Sequence, residues 1–280
     1  MKKIKIVTDS TVDLSQEILN KYEVEVISLS IYIDHKSYLD RVDITPAEFI
    51  DKMVKAEELP KTSQPSVGTF VEKYDELAEE GYDIISIHMT GGMSGTVESA
   101  KSASQLTKAR VFVVDSEFIS KALSFQVLEA AEMVQAGHNV AEILQRLNHV
   151  KKHTKLYVVV DTLENLMKGG RIGKGKAFLG SLLNIKPIAT LEDGVYTPIA
   201  KVRSRSQAVK FLASAFVEDS IGKKIKSVGI THAGSLEVAL KLKEAIEKAT
   251  GFNKVDIDYT TPVISTHTGQ GAIGFSYYIE

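Results

Sequence analysis

The chain has 280 residues, with no cysteine and no tryptophan among them. Lack of cysteine removes disulfides, thiolate nucleophiles, iron–sulfur clusters and thiolate zinc sites together. No charge of one sign dominates: 34 Lys and Arg stand against 36 Asp and Glu, a formal net charge of −2. Nucleic-acid binders displace counterions with a basic surface, so this balance argues against that class and leaves room only for a local basic patch. The seven histidines are scattered, with no HExxH or paired ligand spacing, and no metal site is expected. The start, MKKIKIVTDS, has no apolar run of signal-peptide length before Asp9, which points to the cytoplasm. The longest uncharged stretch, Tyr259 to Ile279, could cross a bilayer by length. Thr260, Thr261, Pro262, Ser265, Thr266 and His267 make it too polar, so it reads as strand, loop, strand, and no integral membrane protein is expected.

What is present is an ordinary globular composition, 44% hydrophobic and 25% charged, with length for one large domain or two of usual size. The first half alternates. Runs at 4–9, 24–33, 83–89 and 110–115 are β-branched, and helical patterning falls between them. Asp43-Ile44-Thr45-Pro46 has the form of a helix entry. This alternation argues for a parallel sheet covered by helices. Residues 140–152 form an amphipathic bridge. Beyond it, two extended runs flank Asp193-Gly194, a strong hairpin signal. A hairpin inside an α/β region implies a mixed sheet. The expected fold is therefore α/β in two domains, a parallel-sheet domain over 1–150 and a mixed-sheet domain over 151–280. Phe178, Leu179, Leu182 and Leu183 read as plain core.

Several segments could carry chemistry. Met89-Thr90-Gly91-Gly92-Met93-Ser94-Gly95-Thr96 follows an apolar strand and opens a helix. Glycines there let a backbone approach a ligand, and free N–H groups of a first helical turn suit an anion. The same residues read equally as a tight turn with Ser94 as N-cap. The Lys and glycines of a Walker A loop or dinucleotide fingerprint are missing. Lys61-Thr62-Ser63-Gln64-Pro65-Ser66 is a rigid polar loop, with Ser66 placed to cap the next helix. His267-Thr268-Gly269-Gln270-Gly271 sets an imidazole in a Thr/Gly loop, where it can donate to an anion. Gly169-Gly170-Arg171-Ile172, and Arg203 beside Arg205, read as phosphate or acidic-partner contacts or as solvated basic faces. Asp9-Ser10-Thr11 reads as a helix cap. One enzymatic alternative remains, a serine hydrolase using Ser94 with Asp161 and His267, although Thr96 stands where a G-x-S-x-G elbow needs glycine.

Taken together, VTDST near the start, KTSQPS at 61–66, SGT at 94–96, GGRI at 169–172 and HTGxG at 267–271 resemble the DegV family. These are bacterial fatty-acid-binding proteins that serve as acyl-carrying subunits of fatty-acid kinase. The resemblance implies two α/β domains and one long-chain fatty acid, such as palmitate or oleate, with its tail in an apolar tunnel. It implies that Thr62 and Ser94 hold the carboxylate, with Gly95 beside them and His267 near the head group. It implies that Arg203, and Arg171 with it, face an ATP-dependent kinase subunit. No catalytic residue, cofactor or metal of the chain's own is implied. Two positions depart from the family pattern: Gly91 has lost a hydroxyl found in the usual LSS-x-LSGT, and Gln270 replaces the Pro of HTGPG.

Overall fold

Local sequence chemistry explains most element boundaries. The computed structural model describes residues 3–181 and 185–280, with 178–181 described in backbone only, so the expected core positions Phe178, Leu179, Leu182 and Leu183 lie outside the described side chains. The first half contains β1 (Lys3–Asp9), α1 (Gln16–Lys21), β2 (Glu25–Ile27), β3 (Ser30–Ile33), β4 (Lys36–Leu39) and α2 (Pro46–Lys55). It continues with β5 (Lys61–Ser63), α3 (Val67–Glu79), β6 (Tyr82–His88), α4 (Thr96–Leu106), β7 (Val111–Asp115) and α5 (Ser120–Gln135). Thr45 and Glu48 form a reciprocal capping box at α2, with Pro46 in its first turn, as the sequence predicts. Helix α6 (Val140–His153) leads to β8 (Thr154–Val159), α7 (Glu164–Lys168) and a 3-10 stretch, Gly173–Ser181. Then come β9 (Lys186–Glu192), β10 (Val195–Val202), α8 (Arg205–Ser220), β11 (Ile225–His232), α9 (Leu236–Thr250), β12 (Val255–Tyr259), α10 (Pro262–Thr268) and β13 (Ile273–Ile279). Asp193 and Gly194 turn the β9–β10 hairpin with φ of 51° and 74°, as an Asp-Gly pair allows.

Two large sheets result. One is four-stranded and parallel, ordered β2-β1-β6-β7. The other is six-stranded and mixed, ordered β10-β9-β8-β13-β11-β12, with only β11 and β12 parallel. Helix α5 lies between them, packed on β1 and β6 of one and on β8, β11 and β13 of the other. Every residue from Ser120 to Val127 is buried, as expected of a helix with protein on all sides. The largest apolar cluster accordingly draws on both halves, joining Ile6 and Ile87 to Leu123, Leu156 and Val158.

Three expectations need correction. The run 24–33 is two strands, because β3 leaves the parallel sheet and joins β4 and β5 in a small antiparallel sheet. The centre of 259–279 is helix α10, not a loop. Pro262 presets its first turn, and the Thr266 and Thr268 hydroxyls donate to the Pro262 and Ile264 carbonyls, so those two side chains are satisfied within the helix. Asp9-Ser10-Thr11 does not cap a helix. Ser15 caps α1, while Asp9 is buried at the end of β1 and accepts the Thr11 and Met89 N–H groups.

Two carboxylates are buried here, and the first ties the halves together. Asp13 accepts from Ser120 and Thr260 and from the Thr261 N–H at the start of α10. Asp40 accepts from Ser10, and burial pushes its carboxyl up to about 7. A raised folded-state value means stability present near pH 3.8 and lost as the pH rises through about 7. Chemical denaturation of Asp40→Asn and the unmodified chain at pH 4, 6 and 8 should therefore favour the variant increasingly with pH. A constant difference would contradict the assignment.

Candidate functional site

Strand β1 pairs with β2 on one side and β6 on the other, so the chain leaves its carboxyl edge in opposite directions there. Such a switch point opens a crevice for ligands. The turn after β6 starts from a fixed anchor. Asp9 Oδ2 accepts the Met89 N–H at 2.8 Å, His88 bridges Asp9 and Ser86, and Ser86 meets the Tyr74 hydroxyl at 2.7 Å. Burial opposes ionisation of Asp9, but hydrogen bonds from His88, Thr11 and Met89 outweigh it and hold the carboxyl below its usual value. Ser94 does not cap α4; Gly95 occupies that position, and the Ser94 Oγ lies 2.8 Å from the Thr96 hydroxyl.

The structure brings Thr62, Ser94, Arg171 and His267 to the lining of one cavity. Thr62 pairs with Ile31 across β5 and β3 and shares that residue's inward face. Its Oγ1 lies 2.7 Å from His267 Nε2 on α10. Arg171 Nε donates to the Met93 carbonyl at 3.0 Å and its Nη1 to the Gly169 carbonyl at 2.6 Å. Apolar walls complete the space, among them Met89, Ile119, Val158, Leu166, Val263 and Ile264. The empty space between the lining atoms amounts to about 590 Å³, open mouth and adjoining solvent included. A second, smaller pocket shares Ile119, Val158 and Ile264 of this lining.

The imidazole of His267 is uncharged at neutral pH. Burial, and after it the charge of Arg171, push its pKa down to about 4. Its Nδ1 has no partner among the described residues and faces Gly169, where any side chain would collide with the ring. The hydrolase constellation is not assembled. His267 is bonded to Thr62, and Asp161 is instead paired with Lys186 and Arg205 at 2.5 and 2.6 Å. Arg203 is exposed beyond β10, outside this lining.

Sequence reasoning missed Gln64 as a site residue. Its amide donates to the Gly95 carbonyl at 3.2 Å and to Ser99 at 2.9 Å, linking the two head loops, and it fills the space a side chain at Gly95 would need. The signal was the amide within KTSQPS. A side chain at Gly91 would meet Asp115, and Gln270 is exposed beside Gly234, so both departures lie away from the Thr62–His267 pair. Among the described residues, no cluster of three or more His, Asp or Glu could hold a metal ion, and no helix is long and apolar enough to cross a membrane.

A family model described as "Uncharacterised protein, DegV family" matches residues 3–280. The chain belongs to the DegV family. A DegV domain-containing protein of Listeria innocua is 44% identical over 281 residues, covering 100% of both chains. One from Staphylococcus aureus is 45% identical over 274 residues, 98% of each. Among solved structures, a fatty-acid-binding DegV family protein of Thermus thermophilus superposes with a TM-score of 0.92 at 34% identity, covering 99% of each chain. DegV of Bacillus subtilis, a fatty acid binding protein, gives 0.92 at 33% identity over 100% of both. A stearic acid-binding protein of Eubacterium ventriosum gives 0.87 at 26% identity, covering 98% of each.

Because His267 is held neutral in the fold, its contribution to stability is present above pH 6.5 and lost as the pH falls toward about 4. The His267→Gln variant should lack this loss. Denaturation between pH 7 and 4 should show the unmodified chain losing on the order of 3 kcal/mol more than the variant. Parallel pH profiles would contradict the buried neutral imidazole.

Proposed function

We propose that this DegV protein binds a long-chain fatty acid and presents its carboxylate to a separate ATP-dependent kinase subunit in the bacterial cytoplasm, feeding phospholipid synthesis. The observation that carries the reading is an apolar cavity that ends in neutral hydroxyl donors. The fatty acids bound by the Thermus and Bacillus relatives support it. In this reading the lobes 1–150 and 151–280 enclose the acyl tail between their sheets. Enclosing about fourteen CH₂ groups at ~0.8 kcal/mol each is worth roughly 11 kcal/mol before ordering costs, so the tail carries the affinity.

The head then needs pairing rather than a tight grip. A proton on His267 Nε2 leaves Nδ1 with a bare lone pair, a smaller cost in a buried site than an unpaired N–H. Nε2 donates to Thr62 Oγ1, which frees the Thr62 O–H to donate to one carboxylate oxygen. Ser94 supplies a second hydroxyl, with Gly95 at the start of α4 beside it. Arg171 lies on the same wall and adds a positive charge that favours the ionised head. In this reading the chain acts as carrier, since Asp161 pairs with Lys186 and Arg205 and His267 with Thr62, leaving Ser94 without the partners an ester hydrolase would need. The kinase subunit docks through Arg203, supplies ATP and its metal, and takes a carboxylate oxygen as the attacking atom.

Purified protein denatured in organic solvent should release a long-chain fatty acid detectable by mass spectrometry. Lipid-free protein that also fails to take up palmitate and oleate would overturn the reading. The double variant Thr62→Val with Ser94→Ala should keep its fold and lose on the order of 1 kcal/mol of head-group fixation per hydrogen bond. Unchanged lipid occupancy and unchanged kinase turnover would remove those two residues from the site. Arg203→Ala should impair phosphorylation while leaving the cavity filled, and loss of lipid would show that Arg203 acts on the ligand instead.

A further inference from the structure

The β9–β10 hairpin reaches the head-group turn from the other sheet. The Thr90 hydroxyl donates to the Gly194 carbonyl at 3.0 Å, and it accepts the Gly92 N–H at 3.0 Å. A side chain at Gly92 would stand 2.6 Å from that same carbonyl, and one at Gly194 would strike Thr90. The hairpin tip is therefore seated against the turn that leads to Ser94. Two residues past the tip, Tyr196 enters the wall of the cavity that Thr62, Ser94 and His267 line.

Tyr196 is 1% exposed, and its hydroxyl has no hydrogen-bond partner among the described residues. Burial raises the phenol pKa well above its usual value, so the hydroxyl keeps its proton and remains a donor. Two glycines of the run after Arg171 make room for this residue: a side chain at Gly173 would stand 2.7 Å from the Tyr196 carbonyl, and one at Gly175 3.2 Å from its ring. Phenylalanine would fill the same space without a stranded hydroxyl, and buried polar groups are ordinarily satisfied. The unpaired donor needs an acceptor that the described residues do not supply.

We infer that Tyr196 is a further ligand-binding residue, donating its hydroxyl proton to the acidic head group of the bound acid. The inference rests on the fatty-acid reading above. A saturated fatty acid carries its acceptors only at the carboxyl end, so an otherwise unpaired donor in the cavity wall has one chemical match in that ligand. A hydrogen bond to an ionised acceptor is among the stronger kinds.

The test is Tyr196→Phe, measured on protein stripped of lipid, with thermal unfolding of the empty form and palmitate affinity read together. Removal of an unsatisfied buried hydroxyl should leave the empty protein's midpoint unchanged or raised. Loss of its bond to the ligand should weaken palmitate binding roughly tenfold or more. That opposition separates ligand binding from a structural role, which would lower the midpoint. Unchanged affinity would overturn the inference, as would a weakened affinity matched by a lowered midpoint. If the unmodified protein binds no palmitate, the fatty-acid reading itself fails, a result distinct from a variant that binds as well as its parent.

Discussion

An alkyl chain leaves water readily, but a fatty acid brings a carboxylate with it to the mouth of the same dry cavity. The opposition between those two demands organises the proposed account of this protein. Apolar enclosure supplies the free energy, and it also removes the solvent that would otherwise satisfy the head group. A site that met the second demand with a fully buried ion pair would face the desolvation cost of both charges. Here the polar end is built instead from hydroxyls, a neutral imidazole and a half-buried guanidinium tied to backbone carbonyls.

The fold provides these groups from separate elements that meet between two sheets. Thr62 comes from a three-stranded side sheet, Ser94 from the turn after β6, Arg171 from the glycine run after α7, and His267 from α10. Their relative placement depends on short polar contacts within and between the halves. Asp13 holds the start of α10, Thr90 holds the tip of the β9–β10 hairpin, and Gln64 joins the two loops that carry the hydroxyls. Glycines at 95 and 169 are required because Gln64 and His267 occupy the space of their missing side chains. The glycine spacing that looks like a phosphate cradle in the sequence is here explained by close packing.

Much of this architecture is legible in the sequence because local chemistry writes it. Asp193-Gly194 can turn a hairpin with both residues at positive φ, Thr45-Pro46 begins a helix, and β-branched runs between helical patterns give the parallel sheet. Helix α10 is not legible in the same way. Its threonines satisfy themselves against their own helix, so a polar sequence is buried without any amphipathic period to announce it. The split of 24–33 between two sheets depends on pairing with β4 and β5, which no local signal encodes. The motifs around Thr62, Ser94, Arg171 and His267 offer these residues as candidates, and the structure brings the four to the lining of one cavity. Gln64 and Tyr196 are not singled out by the sequence because their places in the cavity wall come from neighbours far away in the chain.

The division of labour between tail and head is the central claim, and a homologous series tests it most directly. Affinities of saturated acids from ten to eighteen carbons would be measured on lipid-free protein by calorimetry. The account predicts a gain of ~0.8 kcal/mol, about fourfold, per added CH₂ until the cavity is filled, with a much smaller loss when the Thr62 and Ser94 hydroxyls are removed together. Affinity that is flat with chain length and collapses on removal of those hydroxyls would contradict it.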